Sequence, residues 1–194
     1  MLSEYALVNT DDVKSYRIAN GIKLNTTPDQ NILIEDAINS VTTSFESYCD
    51  RKFVSRTFTE YHDGNNTSVF YPKNYPIISM TSVNVDDDWV WSSSTLVPSA
   101  SYRVFDNMGI VLKDANYLDY GKQNVKVVYI AGYDTIPSDL KLACITEVIN
   151  IMDNIKNVGI TSKAEDGLST SYSQLSFLPT TLQVLNKYRV KAAL

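Results

Sequence analysis

The sequence predicts an α+β protein: a helical bundle core of two long amphipathic helices plus shorter N- and C-terminal helices, with an inserted antiparallel β subdomain. Three observations carry this. Apolar residues recur at helical spacing in two stretches, Ile34 to Tyr48 and Leu140 to Ile155. Between them, residues 53–133 change to short β-branched and aromatic runs punctuated by turn residues. The return to helix is abrupt, at "VVYIAGYDTIPSDLK", where a strand meets a Gly and a helix restarts after a Pro. A single domain over residues 1–194 then has its helical frame at 10–52, 137–155 and 179–190, its β insertion at 53–133 and a long loop at 156–178.

The first helix is expected to start at Thr10 as N-cap, with Asp11 and Asp12 in the first turn where carboxylates suit the helix dipole, and to stop at Asn20-Gly21. The second carries Thr27 as cap, Pro28 at the first helical position and Gln30 three after the cap. Its stripe is Ile34, Ile38, Val41, Phe45 and Tyr48, and it ends near "CDRKF". In the insertion, "FVSRTFTEYHDGNNTSVFYP" reads as two strands around an Asp63-Gly64 turn, and "PIISMTSVNVDDD" as a strand ending in acids. "SYRVFDNMGIVLK" reads as a hairpin around Asp106-Asn107-Met108-Gly109, and "NVKVVYIAGY" closes the set. Pro137 then opens a helix whose stripe is Leu140, Cys144, Val148, Ile151 and Ile155, expected to pack on the earlier long helix. Residues 156–177 lack periodicity and read as a loop, before a short last helix with Leu178, Leu182 and Leu185 on one face.

A chain of 194 residues with 44% apolar and 20% charged residues can bury a core of its own. No stretch approaches the ~20 apolar residues of a membrane span, and no basic and apolar leader opens the chain, so a cytosolic protein is expected. Cys49 and Cys144 are too few for a disulfide scaffold or a zinc site and read as small apolar residues. The net charge of −5 argues against gripping DNA through phosphates. The charge is uneven: Gly167 to Leu194 holds no acid and three bases, Lys187, Arg189 and Lys191, so residues 1–166 carry −8.

Catalysis finds little support. The single histidine, His62, sits beside Asp63, and neighbours on a strand point to opposite faces, so they make no oriented pair. Asp86-Asp87-Asp88 lacks the alternating ligands, Gly and later Glu of a calcium loop and reads as a solvated turn. The seven glycines form no phosphate-binding loop, and nothing requires a cofactor or metal. Thirteen tyrosines, several in strands and loops as in "YPKNY", suit a protein surface that meets other proteins.

Taken in order, "LVNTDDVKSYRI", "ILIEDAINSVTTSFESYCDRKF", "YHDG", "YPIISMTSVNV", "VKVVYIAGYDTIPSDLKLACITEVI" and "LPTTLQVLNKYR" resemble the head-tail connector, or head-completion adaptor, of long-tailed bacteriophages, from Leu7 to about Arg189. The most specific pieces are the helix ending in Tyr48-Cys49-Asp50-Arg51-Lys52-Phe53 and the junction from Ala131-Gly132-Tyr133 to Ile136-Pro137-Ser138-Asp139-Leu140. Where that family often has Gly in the first piece, this chain has Asp50. The resemblance implies a homo-oligomeric ring, typically of twelve copies, below the portal protein. Such a ring extends the DNA channel, lets duplex DNA pass without tight binding, and offers a platform to the stopper and tail. It implies no catalysis, no membrane, and a place in the virion neck after assembly in the host cytoplasm.

On that reading the acid-free tail and the preceding loop are the segments to meet a partner, which puts Tyr172, Lys187, Tyr188, Arg189 and Lys191 in a docking surface. Deleting residues 179–194 is then expected to leave a folded protein that no longer binds portal rings. Two other readings compete. One is a different phage tail or baseplate component, and the other a hydrolase or carbohydrate-binding module using Trp89, Trp91 and the tyrosines as a stacking surface.

Overall fold

The computed structural model describes residues 1–21, 28–105, 109–112, 118–154, 162–165, 168–171 and 177–190. Among them are four helices and two three-stranded antiparallel sheets, an α+β protein. No described helix is long and apolar enough to cross a membrane. The chain divides into two compact units, Met1–Asp50 with Ile136–Leu194, and Arg51–Thr135.

The first unit holds all four helices. α1 (Thr10–Ala19) is capped by Asn9 rather than Thr10, which is already helical. The Asn9 side chain accepts the Asp12 N–H at 2.8 Å and the Asp12 carboxylate accepts the Asn9 N–H at 3.1 Å, a reciprocal box that satisfies two otherwise orphaned donors. α2 (Pro28–Cys49) begins at the expected proline, whereas Thr27 lies outside the described residues. Its buried face is wider than the apolar stripe, with Ala37, Thr42, Glu46 and Cys49 joining Ile34, Ile38, Val41 and Phe45, while Tyr48 is half-buried at its margin. α3 (Ser138–Asn154) starts one residue after Pro137, whose carbonyl accepts the Lys141 N–H. It buries Leu140, Cys144 and Val148 and leaves Ile151 exposed; Ile155 lies outside the described residues. α2 packs on α3 as expected, and α1 crosses both, tied to α3 by Lys141–Asp12 at 2.7 Å and Arg17–Asp153 at 2.9 Å. α4 (Pro179–Tyr188) packs on α2 and α3.

The second unit holds β1 (Arg56–Gly64), β2 (Val69–Phe70), β3 (Ile77–Val85), β4 (Tyr102–Phe105), β5 (Gly109–Leu112) and β6 (Gly121–Ala131). β6 runs between β1 and β3, and β5 between β2 and β4, all antiparallel. The two strands read around Asp63-Gly64 therefore do not pair with each other. Gly64 still belongs to β1, opposite Gly121, and β2 leaves for the second sheet. The reason lies beyond the turn: β6 offers the nine-residue β1 an eleven-residue partner, against which the two-residue β2 cannot compete. The hairpin of β4 and β5 forms as read, with Phe105 opposite Gly109, and residues 106–108 lie outside the described residues. Inward faces of both sheets share one core that includes Ile77, Val83, Ile110, Leu112, Val127 and Tyr129.

Within the stretch read as a loop, β7 (Ser162–Glu165) and β8 (Leu168–Ser171) pair as an antiparallel ribbon. The rest of residues 156–176 lies outside the described residues.

Candidate functional site

The tail read as a docking surface is built into the helical unit. α4 opens on Pro179, with the Leu178 N–H donating to the buried Glu147 carboxylate at 2.6 Å. Phe177 sets its ring edge-on to Phe45 and Tyr48, with centroids at 5.3 and 5.7 Å. Thr181 and Leu185 are fully buried. The segment ends with the Val190 N–H on the Cys49 carbonyl at 3.0 Å.

These attachments orient the predicted residues. The Tyr188 hydroxyl donates to Asp139 at 2.6 Å, and the Lys187 ammonium stands 3.4 Å from the other Asp139 oxygen. The Tyr188 hydrogen bond, opposed by partial burial and assisted by Lys187, holds the Asp139 carboxyl below its usual range. Arg189 lies over the Tyr48 ring, its guanidinium carbon 5.4 Å from the centroid, and the Tyr48 hydroxyl donates to Asn186 at 2.8 Å. Lys187 and Arg189 remain exposed, and Tyr188 is half-buried. Tyr172 and Lys191 lie outside the described residues. Sequence reading missed Asp139 as the counter-charge; the signal was an acid in the first turn of the helix expected to carry the core stripe.

This packing weighs against the expectation that residues 179–194 can be removed without cost to the fold. Deletion strips Leu185, Thr181 and the Val190 bond from α2 and α3, and a buried leucine alone is worth several kcal/mol, about 2–5.

In the β unit, the two most specific sequence pieces meet. Arg51 is buried, donates to the Tyr75 carbonyl, and has its guanidinium 3.8 Å above the Tyr75 ring, with the Phe53 and Tyr133 rings at 5.5 and 5.6 Å. Tyr133 and the Phe53–Ser55 backbone exchange hydrogen bonds at 2.7 and 3.2 Å. Gly132 between them has φ +113, and a Cβ there would stand 2.8 Å from three backbone atoms of residues 53–55. The spelling of this junction is thus a packing requirement: a planar cation among rings and a glycine against backbone.

His62 lies on β1, and its Nε2 faces Glu60 at 3.1 Å, not Asp63. Residues two apart on a strand share a face, which supplies the pairing that adjacent residues cannot. Glu60 also accepts from Tyr129, from the Asn74 amide at 3.2 Å and from the Lys73 N–H at 3.0 Å. Burial pulls its carboxyl up, but these donors outweigh it and bring it down to about 2. Tyr129 is pushed up by burial and by the Glu60 charge. The network saturates its carboxylate with structural donors and offers no group to a substrate.

Asp86 is buried, not solvated, and accepts the N–H groups of Asp88 and Trp91 at 3.0 and 2.7 Å. Trp91 is half-buried between Tyr61 at 5.5 Å and Lys126 at 5.7 Å. Among the described residues no cluster of His, Cys, Asp and Glu could hold a metal ion. Both cysteines are buried thiols, and burial, with the Glu147 charge, pushes the Cys144 thiol up to about 12, out of reach of nucleophilic chemistry.

A family model described as head completion protein matches residues 6–190. No curated protein matches. Among solved structures, the chain is similar to one in the neck of an empty GTA particle computed with C6 symmetry, at TM-score 0.61 and 14% identity over 94% of this chain and 90% of that one. A chain in the virion of a native gene transfer agent (GTA) particle gives TM-score 0.59 and 15% identity over 94% and 90%. One in the neck of a native GTA particle computed with C12 symmetry gives 0.57 and 15% over 100% and 97%. At such identities these likenesses establish the fold alone.

Proposed function

Because the chain belongs to the head completion protein family, we propose that it is a structural, non-catalytic protein of a phage neck. The observation that carries this is a family match running through both units, over residues 6–190. Its copies form a ring under the portal, extend the DNA channel, and join the filled head to the stopper and tail. Twelve copies accord with the C12 symmetry used for one of the similar necks. The protein acts in the virion neck after assembly in the host cytoplasm.

The physical features support the reading. A net charge of −5 is compatible with a channel through which duplex DNA slides, where repulsion of the phosphates would keep it mobile. Glu60, whose carboxylate is taken up by four structural donors, is not free to serve as an acid or base. On this reading Lys187, Tyr188 and Arg189, at the end of a helix whose other side is buried, face the portal, and Tyr172 and Lys191, which lie outside the described residues, join them by their place in the sequence.

The test mixes the purified protein with its portal rings and images the product by negative stain. Added density below the portal is expected. Attachment to tail tubes, with bare portals, would reassign the protein to the tail.

A further inference from the structure

The β unit presents two dissimilar exposed surfaces. The first is a knob between β3 and the following 3-10 turn. Trp89 and Trp91 both adopt left-handed backbone, φ +56 and +57, where bulky residues rarely stand. Asp86 holds the turn through the Asp88 and Trp91 N–H groups, the Trp89 indole donates to the Lys122 carbonyl at 3.1 Å, and the Asn124 amide bridges Asp87 and the Asp119 carbonyl. What this bracing presents to solvent is Trp89 at 58% exposure, Val90 at 72% and Tyr120 at 76%, bordered by the exposed acids Asp88 and Asp119.

The second surface is the outward face of the β2–β5–β4 sheet. Register and alternation place Val69, Val111 and Arg103 in one row and Gly109 and Phe105 in the next. The Phe105 and Tyr71 rings converge over Gly109, where an added Cβ would meet them at 2.9 and 3.0 Å. The result is a flat apolar platform with Tyr71 62% and Phe105 39% exposed, beside the exposed bases Arg103 and Lys73.

We propose that the Trp89–Val90 knob of one copy seats on the Tyr71–Phe105 platform of a second copy of this chain. One chain carries both halves of an apolar contact, and their rims carry opposite charges: Asp88 and Asp119 on the knob, Arg103 and Lys73 on the platform. Exposed Trp and Tyr at a contact centre with charges at its rim is the usual anatomy of a protein interface. Knob and platform are different patches, so the contact is heterologous and propagates head to tail, closing into a ring when the rotation per copy permits. This deepens the ring reading above by naming the subunit faces, and rests on it only for closure.

The test follows self-association of the full chain by sedimentation, without portal, so that it can fail while portal binding holds, and the reverse. Wild type is expected to associate with rising concentration, and Asp88→Arg and Arg103→Asp each to weaken it at least tenfold at unchanged melting temperature; Trp89→Ala, which also removes the Lys122 hydrogen bond, is expected to weaken it at least tenfold as well. An equimolar mixture of Asp88→Arg and Arg103→Asp is expected to regain association, because each knob then finds a platform of opposite charge. A wild type still monomeric at about 1 mM, association indifferent to these substitutions, or a mixture that regains nothing overturns the proposal.

Discussion

The Tyr129 hydroxyl donates a hydrogen bond to the Glu60 carboxylate from a diagonal position on the neighbouring strand, since Phe58 stands opposite Tyr129 and Glu60 opposite Val127. A fully buried phenol and a carboxylate thus hold each other between β1 and β6, with Asn74 and Lys73 closing the network.

This sets a pH dependence. The Glu60 carboxyl falls from 4.5 to about 2 on folding. A depressed folded value means stability fully present above the unfolded value and lost as pH falls through the folded one, so the loss runs between about pH 5 and 2 and amounts to at most about 3 kcal/mol. Urea denaturation is expected to show Glu60→Gln less stable than wild type at pH 7 and the gap narrowing towards pH 2. A constant gap would detach Glu60 from the acid response.

Gly132→Ala should be among the most damaging single substitutions in the chain. The left-handed φ costs about 1–2 kcal/mol, and the added methyl meets rigid backbone of residues 53–55 rather than a side chain that can swing away. A drop in melting temperature larger than that of Gly21→Ala, where nothing stands within 4 Å of the new Cβ, is the expected result in thermal melts.

Asp50 follows the last residue of α2 with φ +53. The position after a helix end commonly takes this left-handed conformation, which Gly adopts freely, Asp and Asn tolerate, and β-branched residues resist. Asp50→Gly is expected to change stability by less than about 1 kcal/mol and Asp50→Val to lower it by about 1–2 kcal/mol. Equal effects of the two in denaturant titration would remove this conformational account of Asp50.

At the tail, Tyr188→Phe is expected to raise the Asp139 carboxyl towards its ordinary value, read by NMR titration, and to cost no more than about 1 kcal/mol of stability. Lys187→Glu with Arg189→Glu should leave the fold intact, because both side chains are exposed, while reducing retention on portal rings. Full retention would move docking elsewhere. Deletion of 179–194, by contrast, should lower the melting temperature of the helical unit itself.

Much of the fold was legible because it is written locally. A stripe at Ile34, Ile38, Val41 and Phe45 has one interpretation, since only a helix brings those positions to one face. Pro28 and Gly132 mark their positions by backbone restrictions that hold wherever they occur. The Asn9 cap was misplaced by one residue because Asn and Thr can both cap, and only the Asp12 N–H shows which side chain it meets. The solvated reading of Asp86 failed for a related reason: its acceptors were filled by N–H groups two and five residues on, which depends on the left-handed turn at Trp89 and Trp91.

The class of the protein, its long helices and most of its strands followed from periodicities of a few residues, which backbone geometry alone imposes. Pairing did not. β1 found β6 some sixty residues along the chain rather than the nearby β2, Glu60 found Tyr129, and Tyr188 found Asp139. Each choice is a competition among groups distant in sequence, decided by which partner offers the longer ladder or the better-placed charge once the chain is compact. The same competition separates the docking residues read from the tail from the buried side of α4 that holds them in place: charge and helix could be read in order along the chain, but which face of the helix was already occupied could not.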